Sequence, residues 1–280
     1  MQKNKNLALP DKKGGFTLIE LSIVLVIIGL IVGGVLVGQD LIRAAEIRAT
    51  VGQIEKYNSS VNTFRTKYNG IPGDLSSANA VAFGFIARAG SAGRGDNNGL
   101  IDGINAASPT SQGFTQESGF FWDDLTRANL VDGQFTSAAD GGAVAAIAAA
   151  AVPTQFPEAR LARGNLVHVG STGGLNYYMI SGITSTAANT GDMTLTVNLT
   201  PTELFNMDNK LDDGVPLTGI VQARGVAGVN TTPLTTVASN NGSPTVGTCL
   251  LGTGSATDTY NRSLTLGGST PACIGRFRFN

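Results

Sequence analysis

Phe16 to Gly38 is a run of 23 residues that holds a single charged side chain, Glu20. A bilayer hydrocarbon core about 30 Å thick takes roughly 20 apolar residues as a helix, so this run has the length of a membrane span. No second run of comparable length follows. The pattern predicts a single anchor near the start of the chain, with all later elements folded in water. Lys3, Lys5, Lys12 and Lys13 precede the run against Asp11 alone. The positive-inside bias then keeps residues 1–15 cytoplasmic and sends residue 39 onward across the membrane, to the periplasm or beyond.

The boundary between the basic segment and the apolar run narrows the reading. A secretory signal places its small-residue cleavage site after a shorter apolar stretch. Here two small, flexible residues, Gly14 and Gly15, stand before the run, where a protease could cut on the cytoplasmic side and leave the hydrophobic segment attached. The sequence Lys12-Lys13-Gly14-Gly15-Phe16-Thr17-Leu18-Ile19-Glu20-Leu21 closely resembles the prepilin signal of the type IV pilin and type II secretion pseudopilin superfamily. The resemblance implies cleavage between Gly15 and Phe16 by a prepilin peptidase, N-methylation of Phe16, and storage in the inner membrane before assembly. It also implies as partners other pilin subunits, met through the N-terminal helix, and an inner-membrane assembly platform.

Glu20 is the fifth residue after that junction. A carboxylate within an apolar span costs on the order of 3 kcal/mol on insertion scales, so such an acid ordinarily has a partner or a function. The resemblance implies that it meets the charged N-terminus of a neighbouring subunit, Phe16 in this numbering, when helices stagger into a filament. Opposite charges in an apolar bundle select axial register more than they add net stability. The plainer alternative is that Glu20 lies at headgroup depth and snorkels.

Past the membrane the helix pattern continues. Leu41, Ala44, Ile47, Val51, Ile54, Tyr57, Val61, Phe64 and Tyr68 recur every three or four residues, with charged residues largely between them. The stretch ends at Asn69-Gly70-Ile71-Pro72-Gly73, a helix-stop and turn cluster. The division is therefore a leader at 1–15, a helix over about 16–69 and a headpiece at 70–280. Within that helix, 16–38 is apolar all round and 39–69 is amphipathic. Gly29, Gly33, Gly34 and Gly38 interrupt the apolar part. Small residues four apart permit close helix contact in a membrane. Each glycine also weakens the helix by about 0.8 to 1 kcal/mol relative to alanine, and relatives in this superfamily often unwind here. The proline that many of them carry eight residues after Gly29 is Val37 in this chain.

In the headpiece, three blocks resemble a proteobacterial pilin-like group: Gly70-Ile71-Pro72-Gly73-Asp74, the loop Gly95-Asp96-Asn97-Asn98-Gly99-Leu100-Ile101-Asp102-Gly103, and a tryptophan helix at Phe121-Trp122-Asp123-Asp124-Leu125 leading to Leu130-Val131. Asp96, Asn98 and Asp102 are calcium candidates, because carboxylate and amide oxygens suit a hard cation. A Gly/Asn turn is the competing reading, since Leu100 stands where a polar ligand belongs. Asp208, Asp212 and Asp213 form a second acidic group behind Thr200-Pro201-Thr202-Glu203, a capping box with proline at the first helical position. They read as the end of a short helix over Pro201 to about Leu211, bonded to the following loop.

Strand signals fall at Leu166 to Val169, Leu175 to Ile180, Met193 to Leu199, Ile220 to Ala223 and Ile274 to Phe279. The alanine-rich stretch from Ala138 to Val152 fits a short helix or an insertion equally. The fold class predicted is α+β, the type IV pilin fold: a long N-terminal helix packed on a globular domain with an antiparallel β-sheet. Cys249 and Cys273 are the only cysteines, both in the exported part, and an even count in an oxidising compartment favours a disulfide. Closing a loop of that length is worth about 3.5 kcal/mol on the chain-entropy model. Paired C-terminal cysteines also resemble the disulfide-bounded loop of many type IV pilins, here 249–273.

Composition excludes other classes. With 19 basic and 20 acidic residues the net charge is −1, and no Lys/Arg-rich patch with interleaved aromatics offers a field for nucleic acid. The one histidine, His168, has no companions at metal-ligand spacing, and neither a nucleophile elbow nor a phosphate loop is present. No enzyme site and no cofactor other than calcium is expected. A filament subunit is the leading reading, with a secretion pseudopilin as the first alternative. A single-pass, membrane-tethered periplasmic binding module is the alternative from another class.

Overall fold

A computed structural model of the protein describes residues 15–88, 95–101, 116–135, 149–186, 193–224, 249–251, 258–263 and 270–279. Contacts divide the chain into two units, one running to Ala45 and the other beginning at Glu46. One helix, α1 (Leu18–Tyr68), carries residues of both. It begins two residues later than Phe16 and stops where Asn69 turns left-handed at φ 53° ahead of Gly70. That conformation is open to asparagine and glycine and closes the helix there.

Within the first unit the apolar side chains of α1 are exposed, from Leu18 through Val37. Leu41 and Ile42 share that exposure, so burial of the amphipathic stripe begins at Ile47 and not at Leu41. In the second unit Ile47, Val51, Ile54, Tyr57, Val61, Phe64 and Tyr68 are all buried. Their three- and four-residue spacing places them on one helix face, which becomes one wall of the core. Polar side chains fix the seat of that face. Gln53 donates to the Glu158 carbonyl (2.8 Å) and accepts from Arg160 N (2.9 Å), and Ser60 Oγ donates to the Leu130 carbonyl at 2.9 Å.

After α1 come a short helix, α2 (Ser77–Ala82), capped by Ser76, and α3 (Gln116–Arg127), which carries Trp122. A 3-10 turn at Ala149–Thr154 closes the alanine-rich stretch. The main sheet is antiparallel throughout, in the order β1 (Asn165–Thr172), β2 (Leu175–Thr186), β7 (Ile274–Phe279), β4 (Val221–Arg224). A further strand, β3 (Met193–Thr196), pairs with the far end of β2, where the register shifts between Ile183 and Ser185. Gly173 and Gly174, both at positive φ, form the two-residue turn between β1 and β2. Strands β5 (Leu250–Leu251) and β6 (Thr259–Tyr260) make a small second ladder near α4 (Pro201–Leu211).

The strands extend further than alternation alone indicates. β1 and β2 run past the expected segments to Thr172 and Thr186. Hydrogen bonding to a neighbour continues through residues whose side chains carry little hydrophobic signal. The expected strand from Met193 to Leu199 divides instead. β3 stops at Thr196, and Leu199 makes an isolated bridge to Cys273.

Side-chain alternation gives the sheet two buried faces. Tyr178, Val169, Phe277 and Phe279 belong to the aromatic side, where Tyr178 stacks on Phe279 with centroids 4.3 Å apart. Tyr57 of α1 meets Trp122 at 4.8 Å and Tyr178 at 5.9 Å, so helix, α3 and sheet share one cluster. Such rings add about 0.5 to 1.5 kcal/mol per pair beyond their buried area. On the opposite side His168 meets Phe156, which follows the 3-10 turn. The Cys249–Cys273 disulfide joins the residue before β5 to the residue before β7, with Cα atoms 5.0 Å apart.

Phe64 is fully buried against Tyr68 and Phe85, at 4.5 and 5.4 Å. Phe64→Ala is expected to lower stability by about 3 to 5 kcal/mol. Removing the exposed Lys56–Asp132 pair (2.6 Å) by Lys56→Ala should change it by less than about 1 kcal/mol. Denaturant unfolding followed by Trp122 fluorescence checks both values.

Candidate functional site

The N-terminal segment holds the first candidate site. Gly15, Phe16 and Thr17 precede the helix, and Phe16 is 88% exposed. Thr17 is placed to cap α1: Glu20 N donates to Thr17 Oγ1 (3.3 Å), while Thr17 N (2.8 Å) and Oγ1 (2.7 Å) both donate to Glu20 Oε2. This is a reciprocal capping box. The Thr-x-x-Glu spacing was visible at residues 17–20, yet sequence reasoning fixed on the charge of Glu20 and passed over its local partner. Three hydrogen bonds are thus made inside the subunit, and the carboxylate is held at the helix start, where the macrodipole favours an anion. Beyond it, α1 is long and apolar enough to cross a membrane, and the apolar window is wholly unburied within the chain.

The second candidate site draws the three resemblance blocks of the headpiece together. In the turn after α1, Ile71 and Leu75 are buried anchors, and Gly73 N donates to Asp124 Oδ2 of α3 at 2.7 Å. A Cβ on Gly73, at φ +89°, would stand 2.3 Å from the Glu117 carbonyl oxygen. A Cβ on Gly95 would stand 2.1 Å from the Leu75 carbonyl oxygen. Glycine is therefore required at both positions by close backbone approach.

The segment 95–101 is tied to its neighbours on both sides. Gly95 N donates to Glu117 Oε1 (2.7 Å) and Gly99 N to Asp74 Oδ2 (2.8 Å). Ile101 N donates to Asn176 Oδ1 of β2, and Asn176 Nδ2 returns a bond to the Gly99 carbonyl, each 2.8 Å. As a result the carboxylate oxygens of Asp74, Asp96 and Glu117 lie within 4.8 Å of one another. Asp74 and Glu117 are 1% and 0% exposed, while Asp96 faces solvent. Burial is the main cause that pushes the Asp74 carboxyl above its ordinary range, and the Asp96 charge pushes the same way.

Of the calcium candidates, Asp96 joins this group. Asn98 instead braces Asp96, donating through N (3.1 Å) and Nδ2 (3.0 Å), and its Oδ1 accepts from Leu100 N at 2.7 Å. Asp102 lies outside the described residues. Sequence reasoning missed Asp74 and Glu117. The signal for Asp74 was its place at the end of the Gly-Ile-Pro-Gly-Asp turn, whereas nothing around Glu117 announced it.

Behind this group Arg88 pairs with Asp124, both side chains fully buried, and its guanidinium stands 4.4 Å from the Phe120 ring centroid. Desolvation outweighs the Arg88 charge and pushes Asp124 up to about 6. The other acidic group is occupied by its own loop. Asp208 accepts from Tyr260 OH (2.7 Å) and Gly214 N (3.2 Å), Asp213 accepts from Val215 N (2.8 Å) and Thr218 Oγ1 (2.7 Å), and Asp212 accepts from Ile220 N and from Val221 N (3.3 Å).

His168 and Ser181 bring together a pair that resembles a nucleophile and its base, Nε2 to Oγ at 3.0 Å. Both are fully buried within β1 and β2, and Nδ1 has no hydrogen-bond partner to orient it. Desolvation lowers the imidazole pKa to about 3. A base this weak, sealed from substrate, is a core histidine and not a catalytic one.

The comparisons with known proteins bear on the N-terminal segment. The prokaryotic N-terminal methylation motif matches residues 10–36. The chain therefore carries the prepilin-type signal of type IV pilins and pseudopilins, ahead of an α+β fold of pilin type. This signature belongs to structural, membrane-anchored subunits that a prepilin peptidase processes. No curated protein and no solved structure matches the chain.

A histidine held neutral in the folded state binds its proton only in the unfolded chain between pH 6.5 and about 3. Its contribution to stability is complete above pH 6.5 and is lost as pH falls, by roughly 1.4 kcal/mol per unit. Asp124 and Asp208, both pushed up to about 6, act with the opposite sign in wild type and variant alike. The difference in unfolding free energy between wild type and His168→Gln is expected to move against the wild type from pH 7 to 5. Denaturation at each pH reads it.

Proposed function

We propose that this protein is a structural subunit of a type IV pilus-like filament, cut between Gly15 and Phe16, held in the inner membrane with its headpiece periplasmic, and assembled through α1. The observation that carries this reading is the first stretch of α1. A methylation-type signal leads directly into a helix whose first apolar side chains are exposed among the described residues, with the one acid of the apolar run at the fifth position after the junction. Leaving that surface in water is untenable at about 25 cal/mol per Å². Lipid covers it before assembly, and neighbouring copies of the same helix cover it afterwards.

The glycines support the same reading. A Cβ on Gly29, Gly33, Gly34 or Gly38 would meet nothing within 4 Å. Among the described residues no packing calls for glycine there, so the small surface serves contact with other helices. In the filament the free amine of Phe16 on a neighbour takes the Glu20 carboxylate, and the Thr17 cap holds that carboxylate in place until it arrives. The disulfide-closed C-terminal region favours a pilus over a secretion pseudopilin.

The test compares wild type with Glu20→Ala in cells by shearing the surface and measuring the protein in pelleted filaments and in membranes. The wild type is expected in the filament pellet. Glu20→Ala should remain in the membrane, cut normally, with incorporation reduced about tenfold or more, which is the effect of 1.4 kcal/mol in register selection. Equal incorporation of the variant contradicts the assembly role of Glu20. Wild type that is cut but never leaves the envelope favours the pseudopilin. A headpiece that functions with no assembly at all favours the tethered binding module.

A further inference from the structure

We propose that Asn69 is a site of spontaneous covalent modification: the Gly70 backbone nitrogen attacks its side-chain amide, and an aspartate or isoaspartate takes its place at the end of α1. The inference is independent of the filament reading, because the site lies wholly within the unit that begins at Glu46. Asn-Gly is the pair most open to this reaction, since glycine has no side chain to hinder the approach of its own nitrogen. The sequence holds three such pairs, Asn69-Gly70, Asn98-Gly99 and Asn241-Gly242. The last lies outside the described residues, and the structure separates the other two.

Both Asn69 and Asn98 are exposed, so access to water does not distinguish them. Hydrogen bonding does. Asn98 is held at both ends of its amide, where Nδ2 donates to Asp96 Oδ2 (3.0 Å) and Oδ1 accepts from Leu100 N (2.7 Å). The attacking nitrogen is engaged as well, because Gly99 N donates to Asp74 Oδ2 at 2.8 Å. Closing a ring at Asn98 breaks all three bonds. Among the described residues the Asn69 side chain and Gly70 N make no hydrogen bond. Asn69 is tied only through its own backbone nitrogen, which donates to the Arg65 carbonyl at 2.9 Å. The attack requires a rotation about ψ of Asn69, and a residue at a helix end gives one most readily.

The reaction consumes only water and transfers no electrons. Gly70 N gives up its proton and bonds to Asn69 Cγ, the Cγ–Nδ2 bond breaks, and ammonia leaves with that proton. A five-membered succinimide then links the two residues. Water opens it at Cγ to give aspartate, or at the Asn69 main-chain carbonyl carbon to give isoaspartate. Either product alters the joint between α1 and the headpiece core. The new carboxylate adds negative charge where the helix dipole is already negative. Isoaspartate also lengthens the main chain by a methylene, at the left-handed residue that closes α1 and two residues before the buried Ile71. Packing holds glycine at position 70, since a Cβ there would stand 2.7 Å from Leu75 Cδ2 and 2.9 Å from Asn97 Oδ1. The fold thereby keeps the pair that makes Asn69 labile.

Full-length protein in detergent, incubated at mildly alkaline pH both folded and unfolded in guanidinium, tests the inference. Mass spectrometry of the tryptic peptides Tyr68–Arg88 and Gly95–Arg127 follows the two asparagines separately. In the folded protein Asn69 is expected to convert at least about tenfold faster than Asn98. In guanidinium the two should convert at similar rates, because the bonds that protect Asn98 are gone. Protein converted at Asn69 should melt at a lower temperature than intact protein. The proposal is overturned if Asn69 stays intact in the folded protein over a period in which the unfolded chain has converted. It is equally overturned if Asn98 converts as fast as Asn69 in the folded protein.

Discussion

One face of α1, from Ile47 through Tyr68, is the surface on which the headpiece depends. The sheet presents Tyr178, Val169, Phe277 and Phe279 toward that face, and α3 brings Phe121 and Trp122 to it. Without it these rings would stand in water, at about 1.5 to 3 kcal/mol for each large side chain. A five-stranded sheet with one bare aromatic face does not fold alone, so the last six turns of α1 are part of the globular core and not a stalk attached to it. The same helix is uncovered in its first half. The second unit is folded around its own core, while the first leaves the apolar side chains of its helix exposed.

Polar groups inside the headpiece hold the architecture. Arg88 with Asp124 and Arg163 with Glu203 are pairs whose acids are buried, each bracing segments distant in the chain. Glu203 also completes the cap of α4 by accepting from Thr200 N at 2.9 Å. Breaking such a pair from one side leaves a buried charge, which is more damaging than removing both partners. The carboxylates of Asp74, Asp96 and Glu117 gather where the turn after α1, the 95–101 loop and α3 meet.

Much of this was legible in the chain, for reasons that differ by element. The apolar run, the stop at Asn69-Gly70 and the capping box at Thr200 are local signals, and the structure places α1 and α4 within two residues of them. β7 at Ile274–Phe279 was readable because Phe277 and Phe279 alternate with Arg276 and Arg278. What escaped reading depended on partners. Leu41 continues the stripe perfectly in sequence, yet lies beyond the part of α1 that the headpiece covers. The ends of β1 and β2 exist only because each has the other to bond to. α2 is six residues long and carries almost no periodic signal beyond its Ser76 cap. The acidic site needed three separate segments folded together before Glu117 could be seen beside Asp74. The Thr17–Glu20 box was local and readable, but the expectation of a distant partner for Glu20 obscured it.

Assembly through α1 requires release of the leader with Phe16 as the first residue of the chain, because only then does a free amine stand four residues before Glu20 for a neighbour's acid to meet. The direct measurement is the N-terminal peptide of the protein isolated from cell envelopes and surface filaments, identified by mass spectrometry. The expected result is a chain that begins at Phe16 and carries one N-methyl group. A chain that retains Met1, or that begins after the apolar run, would contradict it.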